Sequence, residues 1–250
     1  MDYPLEDSQD PGSNKVILSA FKRSLAFNDR EECGLFAWSD QYRLSFEFIP
    51  LKNNDSYDNK SFITSSSDYY DLYVNDRIIS LFHSHIDDDP TPSPLDIEIA
   101  KSFCLPSLIF SNKNKNTYLF YPESYKPKKL ENRIFIPYFQ DCISFIKDFF
   151  FINLEINFSE TIKDWSRPRN NPNEKLLKLI SLHFNEVNLS DIKNNDVVIF
   201  FPTVDNLFHL GVFVENKFIY HHPFEGRPKK ELFNQTLTNK VYKVYRHKDL

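Results

Sequence analysis

Apolar positions along this chain follow two rhythms, and the change from one to the other marks its elements. Ile17, Phe21 and Leu25 recur at helical spacing and predict a helix over Lys15–Asn28. Gly34–Trp38 and Arg43–Leu51 read as strands, and Arg77–Phe82 as a short apolar strand running into a polar segment. A helix over Ser93–Phe103 and a strand over Ser107–Ser111 follow. Downstream, Cys142 opens a helix with Phe145, Ile146, Phe149 and Phe150 on its apolar face, and leucines predict a second helix over Glu174–Phe184. The remainder is mostly strand: Val197–Phe201, His209–Val214, Lys217–His221 and Lys240–Arg246. Neither half alternates helix and strand strictly, so the fold class is α+β in two domains.

Tyr121–Pro137 carries three prolines and the run Lys126-Pro127-Lys128-Lys129, as an exposed connector would. The expected layout is a flexible leader over 1–13, a first domain over 14–120, the linker over 121–137 and a second domain over 138–250. The leader is acidic, and without a basic start and apolar core it does not read as a secretory signal. No run of about 18 apolar residues exists, which predicts no membrane span.

Charge is shared unevenly. Residues 1–120 hold 19 acidic against 11 basic side chains, whereas the rest holds 16 against 19. Neither half has the dense basic stripe of a nucleic-acid binder, so nucleic acid is not an expected partner. Three widely spaced cysteines, Cys33, Cys104 and Cys142, argue against a disulfide framework and leave room for a reactive thiol.

Two constellations carry chemistry. In the first, His83 and His85 stand at i and i+2 at the end of a strand and so project to one face, while Asp96 sits at the start of the following helix. Two imidazoles and a carboxylate suit a catalytic zinc, which lowers the pKa of bound water toward neutrality. A separate carboxylate, Glu31 or Glu32, would then serve as general base. The plainer reading of Ser93-Pro94-Leu95-Asp96 is a helix start with Ser as cap, Pro at the first position and Asp at the third. The joint pattern, His83-Ser84-His85 then Ser93 and Asp96, preceded by Glu31-Glu32-Cys33-Gly34, resembles the JAMM motif of JAB/MPN metallopeptidases. That resemblance implies zinc on His83, His85 and Asp96, Glu31 as general base, and Ser93 supporting the tetrahedral intermediate.

In the second, Cys142 stands at a helix start, where free amides and the helix dipole favour a thiolate. Its plain reading is a small buried hydrophobe. As a nucleophile it needs an imidazole, and His209, His221 and His222 are the candidates. If the strands His209–Val214 and Lys217–His221 form a hairpin, a two-residue turn at Glu215-Asn216 pairs His209 with His222, and a three-residue loop over 214–216 pairs it with His221. Asp141-Cys142-Ile143-Ser144, Asn195-Asp196-Val197 and His209-Leu210-Gly211 resemble the motifs of NlpC-type cysteine peptidases, with Ile143-Ser144 and Asn195 standing where that family has other residues, two of them glycines. The resemblance implies a papain-like domain with Cys142 as nucleophile, His209 as base and His221 as orienter.

The order of the two domains is similar to that of the tail assembly proteins of lambda-like phages, and Asp164-Trp165, His221-His222 and Gly226-Arg227 agree with this. What it implies is a tail-tip assembly protein with peptidoglycan endopeptidase activity. Its partners would be bacterial stem peptides and other phage tail-tip proteins, and its location the host cytoplasm during assembly and then the virion tail tip. Competing readings are a structural tail-tip component with vestigial sites, a bacterial isopeptidase of the JAMM type, and a thiol acyltransferase on the papain-like scaffold.

Overall fold

The computed structural model describes residues 12–27, 29–39, 45–53, 67, 69–127, 129–131, 133–136, 139–157, 172–202, 207–224 and 226–250. The expected leader, save its last two residues, and the pair Asp164-Trp165 lie outside them. The chain divides into two units, Met1–Tyr125 and Lys126–Leu250, each α+β around its own sheet.

The first unit runs α1 (Gly12–Ala26), β1 (Cys33–Trp38), β2 (Phe46–Leu51), α2 (Tyr70–Val74), β3 (Ile78–His85), α3 (Pro94–Phe103), β4 (Ser107–Ser111) and β5 (Thr117–Phe120). Its five strands lie in the order β2-β1-β3-β4-β5. β3 and β4 are parallel, joined across α3, and the other neighbours are antiparallel. β1 and β4 are buried at every position, as strands covered on both faces must be. α1 buries Ile17, Ala20, Phe21 and Ser24, while Leu25 is only half-buried. Phe21 stacks on Phe110 with ring centroids 4.5 Å apart. Burying one such ring contributes about 1.5–3 kcal/mol.

The second unit runs α4 (Cys142–Leu154), α5 (Pro172–His183), β6 (Phe184–Val187), β7 (Val197–Phe200), β8 (His209–Val214), β9 (Phe218–His221), β10 (Lys229–Leu232), α6 (Gln235–Thr238) and β11 (Val241–His247). Its sheet is antiparallel throughout, in the order β10-β9-β8-β7-β11-β6. α4 is buried on all sides from Cys142 to Phe150. A helix so enclosed has to satisfy its charges internally. Arg133 Nη2 accordingly lies 2.7 Å from Asp148 Oδ2. Burial raises the Asp148 pKa against that guanidinium, and burial lowers Lys147 to about 8.

Part of the segment expected to be an exposed connector is not exposed. Leu130, Arg133, Phe135 and Ile136 are buried, with Leu130 in the core of the second unit. The apolar side chains and the Arg133–Asp148 pair outweigh the proline content that suggested a linker. Among the described residues no helix is long and apolar enough to cross a membrane.

Candidate functional site

In the first unit, β3 carries both histidines to its end. Cys33 is the cross-strand partner of His83, so β1 delivers Glu31 and Glu32 beside the imidazoles. Ser84, between the two histidines, fastens that approach: its amide donates to Glu32 O at 2.9 Å, and its Oγ accepts from Glu32 N at 3.0 Å.

Asp96 arrives through the cap of α3. Ser93 Oγ accepts from Asp96 N at 3.2 Å and Asp96 Oδ2 accepts from Ser93 N at 2.7 Å, a reciprocal capping box with Pro94 at the first helical position. The helix start and the carboxylate ligand are therefore one structure serving both readings. Asp96 Oδ1 lies 3.2 Å from His83 Nε2, and Asp96 Oδ2 lies 3.7 Å from His85 Nε2. One donor atom from each of His83, His85 and Asp96 falls within 4.8 Å of the others, so the three could hold a metal ion.

The donor set fits such an ion in its protonation as well as its spacing. His85 Nδ1 lies 2.7 Å from the Asp89 carbonyl, which can only accept, so the ring carries a hydrogen on Nδ1 and, when neutral, keeps the Nε2 lone pair for a metal. Burial disfavours the His85 cation, but the Asp96 carboxylate, the Asp89 carbonyl and the charge of Glu31 together raise its pKa. Asp96 is held below the usual carboxylate range by the two imidazoles and the Ser93 amide, against the opposing effect of burial.

Glu31 and Glu32 are both buried, yet they face different partners. Glu32 Oε2 accepts from Arg23 Nε at 2.7 Å, and its Oε1 lies 3.7 Å from Arg30 Nε. Glu31 is the one whose charge reaches His85. Cys33, the next residue in sequence, has its thiol pushed up to about 12 by burial and then by the two carboxylates, which makes it inert. Ser93 is exposed with its oxygen engaged at the cap.

In the second unit Cys142 is the first residue of α4 and only 2% exposed. Asp141 caps the helix: its Oδ1 accepts from Ile143 N and Ser144 N at 3.0 and 2.9 Å, and Ser144 Oγ accepts from Asp141 N at 2.8 Å. Ser144, in the segment where the family resemblance expects a glycine, thus closes the capping box. Asn195, at the second such position, adopts φ 72°, the left-handed region that Asn tolerates best after Gly. Asp196 beside it is structural, gripped by Arg246 Nε and Nη2 at 2.8 and 2.7 Å.

The β8–β9 register is neither of the two considered from sequence. Val214 pairs with Phe218 around a loop of Glu215 to Lys217, in which Glu215 and Asn216 both take positive φ, 54° and 56°. Parity nevertheless sets His209 and His221 on one face, two residues apart along the diagonal. His209 Nε2 lies 2.8 Å from His221 Nδ1, and His221 Nε2 lies 3.1 Å from Glu231 Oε2 on β10. His222 turns to the other face, against Phe135 and Phe145. Burial, with help from Arg133, lowers its pKa to about 4.

Cys142 packs in the core with Leu210 and Val212, on the α4 face of the sheet. His209 and His221 project from the alternate pleat, where His209 stacks on Phe200. Phe145, one turn into α4, meets Tyr220 and His222, so the helix begins at the end of the sheet where β8 starts with His209.

Ser84, the Asp89 carbonyl and Glu231 were not anticipated. The first two act through backbone groups or local packing. Glu231 lies in Lys-Lys-Glu-Leu, which has no strand alternation to place it.

No family model matches this chain, and no curated protein matches it.

Proposed function

We propose that the chain is a peptidase with two reaction centres, a zinc-dependent one of the JAB/MPN type in the first unit and an NlpC-type thiol centre in the second. It would cleave stem peptides of bacterial peptidoglycan as a phage tail-tip assembly protein, among other tail-tip proteins. The observation that carries the reading is the convergence of His83, His85 and Asp96, with Glu31 in electrostatic reach of His85. Zinc held by these three side chains would supply Lewis acidity, polarising an amide carbonyl and acidifying water. Glu31 takes a proton from the attacking water and returns it to the departing amine. The Ser93 hydroxyl, held at the α3 cap, donates to the developing oxyanion.

In the second unit Cys142 is the nucleophile, His209 takes its proton and His221 orients His209. The His209–His221 hydrogen bond supports this assignment. The approach of the thiol to an imidazole on the alternate pleat is the step to test. Digestion of purified peptidoglycan by the wild type, Cys142→Ala and His83→Ala, with mass analysis of released fragments and zinc content of each sample, does so. Fragments that persist unchanged in both variants reject the reading.

A second reading has an observation of its own. The near-complete burial of Cys142 beside the Asp141 carboxylate opposes a thiolate, as a structural component with a vestigial thiol site would have it. In that case Cys142→Ala leaves both assembly and infection intact.

A further inference from the structure

The second unit holds one more acidic group than its thiol and imidazoles require. β10 lies beside β9 with Lys229 opposite His221 and Glu231 opposite Ile219, so both β10 side chains stand on the face of His221. Glu231 Oε2 is 3.1 Å from His221 Nε2, and Lys229 Nζ binds the other carboxylate oxygen.

Hydrogen-bond chemistry then dictates where the protons are. A carboxylate only accepts, so the hydrogen between Glu231 and His221 sits on His221 Nε2. A neutral imidazole carries a single N–H, so His221 Nδ1 has a lone pair. The hydrogen between the two rings therefore belongs to His209 Nε2, and by the same rule the lone pair of His209 is on Nδ1. Gly211 leaves room for this order: a Cβ there would lie 3.1 Å from His221 Cβ and 2.4 Å from Ile219 Cγ2.

We infer that Glu231 is a positioning residue for proton transfer in the second unit, setting through His221 the tautomer that makes His209 Nδ1 the proton acceptor. This rests on the thiol-peptidase reading. The proton leaves Cys142 Sγ for His209 Nδ1, which becomes the imidazolium and later protonates the departing amine. His221 and Glu231 neither gain nor lose a proton. The charged groups acting on His221 are Glu231 and Lys229 from β10, while His222, the next residue, lies on the opposite face.

The test uses the full chain labelled with 15N-histidine, comparing wild type, Glu231→Ala, Glu231→Gln and His209→Ala. Alkylation of Cys142 is followed against pH by peptide mass, because exposed Cys104 also reacts. In the wild type both rings are protonated at Nε2. In Glu231→Ala the tautomer of His221 is lost, and that of His209 with it. The pH window of Cys142 alkylation narrows, and its rate at neutral pH falls about fivefold, the worth of one part-exposed charged hydrogen bond. Glu231→Gln keeps an acceptor oxygen, retains the tautomer and recovers part of the rate. Ring nitrogens and an alkylation profile unchanged in Glu231→Ala overturn the inference. A Cys142 profile unchanged in His209→Ala overturns the thiol-peptidase reading instead.

Discussion

His83 and His85 bring their Nε2 atoms to within 3.2 Å of each other in a largely buried setting. Two imidazole nitrogens directed at one point, with a carboxylate completing the group, gain most from a cation between them. Excess zinc should therefore raise the unfolding temperature, by about 2.7 kcal/mol of added stability at a hundredfold excess over Kd. His83→Ala and Asp96→Asn should abolish both that shift and stoichiometric zinc in the purified protein. Thermal unfolding with and without zinc, alongside elemental analysis, makes the comparison, and zinc retained in both variants rejects the site.

Glu31 and Glu32 should separate cleanly on substitution. Glu31→Gln should keep its zinc while metal-dependent hydrolysis falls about a hundredfold or more, the usual contribution of a positioned base. Glu32→Gln weakens the charged hydrogen bond with Arg23 and should cost about 1–2 kcal/mol of stability with the hydrolysis rate retained. Denaturant titration and rate measurements on both variants decide; a rate lost only in Glu32→Gln would reverse the assignment.

His222 predicts an acid sensitivity of the second unit. Its folded pKa is lowered to about 4, whereas the unfolded chain takes up that proton near 6.5. Its contribution to stability is thus fully present above pH 6.5 and is lost as pH falls toward 4. The total loss is on the order of 3 kcal/mol. Urea unfolding at pH 7 and pH 5 should show a smaller difference for His222→Leu than for the wild type. Equal differences would mean that this imidazole is already charged in the folded protein.

Gly211→Ala should disturb the relay without touching a reacting group. The added methyl meets Ile219 Cγ2 at 2.4 Å, which forces the strands to shift at a cost of about 1–3 kcal/mol. The His221 ring signals should move in the same variant. Unaltered stability and unaltered histidine spectra would show that the sheet absorbs the methyl.

What could be read from sequence was local. The histidine pair on β3 and the capping box at Ser93–Asp96 depend on residues within a few positions of one another, and they emerged together as one site. Elements set by tertiary context did not: α2, β5, β6, β10 and α6 are each five residues or fewer and carry weak periodicity. The β8–β9 register escaped because Glu215 and Asn216 both take left-handed backbone, a turn usually announced by glycine. The buried residues at 130, 133, 135 and 136 were obscured by the prolines and lysines flanking them, since Leu130 joins a core built from α4 and Phe135 packs on His222 and Phe224, all later in the chain. The motif resemblance pointed to Glu31 rather than Glu32, but the engagement of Glu32 by Arg23, nine residues back on α1, was not legible in the sequence.

Among the described residues β10 is the outermost ribbon of its sheet, bonded on one side to β9 and to no second strand on the other. Margins of this kind fray at far lower energy than central strands. Glu231 would then leave His221 during brief local openings while β7, β8 and β11 stay closed. Amide hydrogens of 229–232 should accordingly exchange with solvent sooner than those of β8, and the anchoring of the histidine pair would be intermittent while its scaffold endures.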